Sequence, residues 1–244
     1  MNKGICSVTF RKKTPEEIID LCVKNNLSAR EWGGDIHVPH GNIEEAKRVG
    51  ELTRSAGLKT PSYGSYYRCD GADFEPVSAS CEALGARVIR VWAGNKDGEE
   101  FSLLEYETLV KCVREAASVA KTRGQIIAFE HHYGTYCNTA ENAVKLIEDV
   151  NMDNVRSYWQ PAYWFKNRVG QGAEDERAIS VLKKYIVGVH VYNWLGREKL
   201  PLLGGAAQWS KFSSLIGDSN YYLEFVKGDS DEQFEQDAKT LLEI

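Results

Sequence analysis

The sequence predicts a closed (β/α)8 barrel, an α/β fold forming a single domain over residues 1–244, on three observations. Short β-rich runs alternate with amphipathic stretches from end to end, making eight strand–helix pairs. Repeated β–α units need crossover connections, and so imply a parallel sheet. Eight units of roughly 30 residues also suit the length, since such barrels take about 250 residues. A doubly wound open sheet is the runner-up, and it expects a glycine-rich phosphate turn after the first strand. Arg11-Lys12-Lys13 stands there instead, and no G-x-G-x-x-G occurs anywhere. No linker, low-complexity run or charge block interrupts the order, so no domain boundary is expected.

The first strand is expected at 4–10 and its helix at 15–25. There Thr14-Pro15-Glu16-Glu17 joins a cap, a proline at the first helical position and a capping-box glutamate. The second pair is 28–33 and 43–56. Asn42 precedes a helix whose apolar face runs Ala46, Val49, Leu52 and Ala56, and Gly57 ends it. Strands at 58–64 and 86–93 lead to helices at 74–84 and 103–123, the latter stopped by Gly124. The fifth, sixth and seventh pairs are 126–132 with 140–150, 154–160 with 174–184, and 186–193 with 208–216. The last is 220–226 with 231–242, where Ser230 and Gln233 read as a capping box ahead of Phe234, Ala238 and Leu241.

Composition narrows the functional classes. At 43% apolar residues the chain can bury a large core, and its net charge of −5 is spread without a basic stripe, so no nucleic-acid partner is expected. The apolar runs are strand-length, far short of the ~20 residues that span a bilayer, so no membrane partner is expected either. The opening MNKGICSVTF lacks a long hydrophobic segment with a cleavage site, and no secretory leader is expected. Six cysteines form no C-x-x-C pair and read as reduced structural thiols, which points to the cytoplasm.

Four polar residues stand inside apolar strand-like runs: Glu130 in IIAFEHH, Gln160 in VRSYWQP, His190 in IVGVHVYNW and Glu224 in YYLEFVKG. A buried carboxylate is costly without a partner. Four such residues, each near the end of its own strand, suggest one site at the C-terminal mouth, where barrels of this kind place their chemistry. Two carboxylates, an imidazole and an amide oxygen suit one divalent ion, Mn2+, Mg2+ or Zn2+. Period two puts Glu130 and His132 on one face, and Tyr158 with Gln160, leaving Phe129, His131 and Trp159 to pack outward. A bland alternative pairs Glu130 or Glu224 with a buried arginine such as Arg90. Strand-end aromatics, among them Trp32, Tyr66, Trp92, Tyr163 and Trp164, suit the faces of a sugar or polyol. Trp32, Tyr66, Arg90, His132, Asn193 and Lys227 are the expected substrate contacts. His37 and His40, in GGDIHVPHGN, read as solvent-exposed loop residues.

The chain resembles the sugar phosphate isomerase/epimerase family of xylose-isomerase-like TIM barrels. The resemblance rests on GICSVTFRKKTPEEII, EWGGDIHVPHG, VIRVWAG, AFEHH, YWQP, VHVYNW and LEFVKGD, and it extends over nearly all of the chain. It implies a divalent ion held by Glu130, Gln160, His190 and Glu224, with the two glutamates as the acid/base pair. Gln160 stands where the family usually has aspartate, which removes one negative charge. Tyr163 stands where related epimerases often carry histidine. The leading expectation is a metal-dependent isomerase or epimerase of a small keto sugar or related polyol. The alternatives are a metal-dependent dehydratase (lyase) of a cyclic polyol ketone or related acid, and a non-catalytic sugar-binding barrel that has lost its metal. A homodimer is the symmetry-based expectation.

Overall fold

Eight parallel strands close on themselves, each followed by a helix that packs on the outside of the barrel. The computed structural model describes residues 1–162 and 171–244. The barrel strands are β1 (Asn2–Cys6), β2 (Ala29–Gly33), β3 (Lys59–Gly64), β4 (Val88–Val91), β5 (Ile126–Glu130), β6 (Val155–Trp159), β7 (Ile186–Val191) and β10 (Asn220–Leu223). The helices are α1 (Pro15–Lys24), α2 (Ile43–Ser55), α3 (Glu75–Leu84), α4 (Leu103–Thr122), α5 (Ala140–Val150), α6 (Gln171–Leu182), α7 (Ala206–Ile216) and α8 (Asp231–Glu243). Strand neighbours run in sequence order, and β1 closes the barrel against β10. All eight expected pairs are present. One addition was not expected: a short antiparallel hairpin after β7, made of β8 (Trp194–Leu195) and β9 (Glu198–Lys199).

The strands are shorter at their C-terminal ends than the apolar runs suggest. Ser7–Phe10, read as strand, is a 3-10 turn, and Thr9 there hydrogen-bonds into the end of β10. Caps behave as their chemistry predicts. Thr14 and Glu17 form a reciprocal box on α1, as do Ser102 and Glu105 on α4. On α8 only the Ser230 half forms, because the Gln233 amide donates to buried Asp237 instead.

Two apolar layers result. The larger lies between barrel and helices, where Trp159 packs edge-on against Trp209 and Phe212 of α7. The smaller fills the barrel interior with Cys6, Val8, Ala29, Val88, Ala128, Tyr158 and Tyr222. Tyr158 fits because β7 has glycine beside it: a Cβ on Gly188 would lie 2.2 Å from the Tyr158 ring. Among the described residues no helix is long and apolar enough to cross a membrane.

Candidate metal centre and active site

Residues two apart on a strand share a face, so those beyond the apolar floor also point inward. Ala29, Val88, Ala128, Tyr158 and Tyr222 lie in the floor, and Glu31, Arg90, Glu130, Gln160 and Glu224 follow them two residues on. His190 of β7 completes this polar layer, and none of the six side chains exceeds 5% exposure.

Glu31 is its hub. Oε1 accepts from Arg90 Nε at 2.8 Å, His190 Nε2 at 3.2 Å and Cys6 Sγ at 3.3 Å, while Oε2 accepts from Ser62 Oγ at 2.7 Å. Arg90 Nη1 reaches across to Glu130 Oε2. Glu130 is further held by Trp92 Nε1 at 2.5 Å and by Gln160 Nε2 at 3.2 Å. Among the described residues Glu224 is met only by His190 Nδ1, at 3.3 Å; the same nitrogen lies 3.5 Å from Glu130 Oε1. The two mouth carboxylates therefore sit in unlike surroundings.

Electrostatics follow this geometry. Burial alone would raise the Glu130 carboxyl, but Arg90 and His190 hold it well below the usual range. Glu31 is held low in the same way, against its burial, by Arg90 and His190. Glu224 is pushed up to about 7 by burial, which His190 offsets only in part. His190 is raised well above its ordinary value, since Glu224 and Glu31 outweigh burial.

This donor set fits a divalent ion. Ligand atoms of Glu130, His190 and Glu224 lie within 4.8 Å of one another. A carboxylate only accepts, so when the imidazole is neutral, as a ligand must be, Glu31 places its proton on Nε2 and leaves the lone pair on Nδ1. That Nδ1 is buried, has no hydrogen-bond partner, and faces two carboxylates. The cluster holds three carboxyls and one guanidinium, which meets two of them, so with a neutral imidazole and all three carboxyls ionised it keeps two uncompensated negative charges. Two protons or one divalent cation would neutralise it.

The family described as xylose isomerase-like TIM barrel matches residues 31–244. The chain belongs to this family. It is 21% identical over 207 residues to a 3-dehydroshikimate dehydratase of Bacillus anthracis, covering 79% of this chain and 72% of that protein. Its fold is similar to the crystal structure of the probable 3-DHS dehydratase AsbF, involved in petrobactin synthesis, from Bacillus anthracis. The TM-score there is 0.84 at 17% identity, covering 99% of each chain. It is also similar to D-psicose 3-epimerase from Clostridium cellulolyticum H10, with a TM-score of 0.70 at 15% identity over 100% of this chain and 97% of that one.

Within this family frame, several expected site residues prove differently placed. Glu130, His190 and Glu224 converge as expected. Gln160 adjoins them but turns its amide nitrogen, not its oxygen, to Glu130, and donates a second bond to His131 O at 2.9 Å. A neutral amide beside a carboxylate presents its donor end. Arg90, expected at the substrate, is 1% exposed and committed to Glu31 and Glu130, which is the ion-pair alternative. Trp32 lies on the opposite face of β2, fully buried, with Nε1 donating to Thr53 of α2. Asn193 ties down the loop after the hairpin by donating to Pro201 O, and Lys227 is exposed in a turn outside the cluster.

Tyr66 and His132 do border the mouth. The Tyr66 ring covers the Arg90 guanidinium at 4.8 Å, and His132 stacks on Trp92 at 4.9 Å. His37 is buried, not exposed, and links Ser7 Oγ to Lys13 O; His40 is exposed. Tyr163 and Trp164 lie outside the described residues. Glu31 and Trp92 stand at strand ends, and Trp92 among the aromatics suited to a sugar, but neither was among the expected site residues. Strand parity was the available signal for Glu31, since it shares a face with Ala29 and Gly33 while Trp32 does not.

Proposed function

We propose that the protein is a divalent-metal-dependent lyase that removes water from a small polyhydroxylated ketone or keto acid, by taking a proton next to the carbonyl. The observation that carries this reading is the inequality of the two mouth carboxylates. Glu130 is clamped by Arg90, Trp92 and Gln160, while among the described residues Glu224 meets only His190. A carboxylate fixed by three donors is a poor proton carrier, and one left open is a good one. That arrangement supplies one base, where exchange between two faces of a carbon needs two.

Glu130, His190 and Glu224 would hold the ion, which when bound supplies Lewis-acid polarisation of the substrate carbonyl. Glu224 takes the proton from the neighbouring carbon, and the carbon–carbon double bond forms as the hydroxyl leaves the next carbon. His132, at the rim on Trp92, gives that hydroxyl its proton, so that water departs. Tyr66 and Trp92 form the aromatic wall beside the substrate. The likeness in sequence to a 3-dehydroshikimate dehydratase, and in fold to the probable 3-DHS dehydratase AsbF, both of Bacillus anthracis, adds support.

The second reading is an epimerase, favoured by the near-equal approach of both carboxylates to His190 Nδ1, at 3.3 and 3.5 Å, and by the likeness to D-psicose 3-epimerase. One experiment separates them: incubation with Mn2+ in deuterated water, with 3-dehydroshikimate and with D-psicose as probes, read by mass spectrometry. Loss of one water supports the lyase. Deuterium uptake at constant composition supports the epimerase and sinks the one-base argument. Neither change, with ligand binding that ignores metal, would leave the sugar-binding barrel.

A further inference from the structure

Glu31 does not line the mouth, yet four donors converge on it: Arg90 and His190 of the polar layer, Cys6 of the floor and Ser62 of β3. Three of them, from Arg90, His190 and Cys6, share the single oxygen Oε1. We propose that Glu31 is the positioning residue of this site: through Oε1 it holds His190 with its proton on Nε2, so that Nδ1 faces Glu130 and Glu224, and it orients Arg90 to clamp Glu130. The proposal rests on the metal-centre reading above.

The physical argument is a competition between the two edges of one ring. A neutral imidazole carries one proton, and the stronger acceptor decides which nitrogen bears it. Glu31 acts on the Nε2 edge at 3.2 Å, and Glu224 and Glu130 act on the Nδ1 edge at 3.3 and 3.5 Å. Without the Glu31 carboxylate, the two mouth carboxylates would draw the proton to Nδ1, where it would block the cation position. Arg90 is spanned in the same manner, Nε on Glu31 and Nη1 on Glu130. Removing the first anchor frees the guanidinium to turn and carry Glu130 with it.

Surrounding residues serve this arrangement. Gly64 gives the pair its room, because a Cβ there would stand 2.6 Å from Arg90 Nη2 and 2.9 Å from Glu31 Oε1. Ser62 fixes the other carboxylate oxygen, and its hydroxyl accepts from Tyr158. Orienting partners of metal-binding histidines typically change metal affinity about 10–100-fold when removed.

The test uses the full chain with 15N-labelled histidine, comparing wild type, Glu31→Gln and Ser62→Ala. Zinc affinity is read by calorimetry, and the His190 ring nitrogens by proton–nitrogen spectra of the zinc-loaded protein. The expected result is a slowly exchanging Nε2–H in wild type and in Ser62→Ala. Glu31→Gln should fold, bind zinc about 10–100-fold more weakly and lose that protected proton. Wild-type affinity with an unchanged Nε2–H in Glu31→Gln would overturn the proposal while leaving the metal centre standing. Wild type that binds no zinc would overturn the metal reading itself, and this inference with it. Should Glu31→Gln not fold, Glu31→Gln combined with Arg90→Met leaves no unpaired guanidinium and carries the same readout. Restoration of the His190 signal in that pair would mean that Glu31 only offsets the charge of Arg90.

Discussion

Glu130 and Glu224 are the same residue type in unlike surroundings, and the difference determines what each can do. Glu224→Gln should cut turnover about 10²–10⁴-fold, the usual worth of a general base, with the fold intact. In the metal-free protein at neutral pH it should not lower the melting temperature, because it replaces a carboxyl that burial already pushes up to about 7. Retained activity in that variant would sink the one-base scheme. Gly64 is equally informative: Gly64→Ala drives a methyl onto Arg90 and Glu31, and a loss of about 1–3 kcal/mol is expected in urea denaturation. Two non-glycine residues beside the site, Tyr66 and Phe225, take left-handed backbone at φ 58 and 64. Such strain collects where surrounding structure must hold a side chain in place. One covers Arg90, and the other follows Glu224 directly.

At the scale of the elements, the polar layer depends on register as well as on residue type. The β2–β3 pairing shifts between Ala29 and Glu31, so Ser62 rather than Pro61 stands opposite Glu31. Proline has no N–H for the ladder and is tolerated at such a bulge. The shift gives Glu31 its Ser62 hydrogen bond. A second shift in β6–β7 sets Tyr158 opposite Gly188. Gly188→Ala should therefore be costly, about 3 kcal/mol at the upper end of overpacking, because the ring it meets is enclosed by the barrel. An unchanged denaturation midpoint would show that the floor can yield. Bulges next to active sites commonly re-aim side chains in this way.

For the whole molecule, the decisive quantity is the charge of the buried cluster. In the metal-free protein, His190 and Glu224 keep protons at pH values where the unfolded chain has released them. Their contribution to stability is present at low pH and is lost as pH rises through their raised folded values. Glu31 and Glu130, both held low, contribute in the opposite sense, and that part is lost as pH falls below the ordinary carboxylate range. The melting temperature of EDTA-treated protein should therefore fall between about pH 5 and about pH 8. Added Mn2+ or Zn2+ should raise it most at the upper end, where protons no longer compete; a hundredfold excess over Kd corresponds to about 2.7 kcal/mol of stabilisation. A metal effect greatest at low pH would contradict the ligand set.

The eight β–α units, their caps and the convergence of Glu130, His190 and Glu224 were legible because each depends on local pattern: alternation, terminal chemistry and polar residues in apolar strands. Sequence also flagged Gln160 as the departure from the family pattern. What it did not determine was direction. Trp32 was expected at the substrate, but strand parity and helix packing send it outward to Thr53. Arg90 was assigned to the mouth, yet its charge is taken up by two carboxylates from neighbouring parts of the barrel. Local pattern determines which residues a strand carries and which of them share a face. Only closure of the barrel decides which partners meet at its axis, because those contacts join residues as far apart as Glu31 and His190 and depend on bulges that no single strand records.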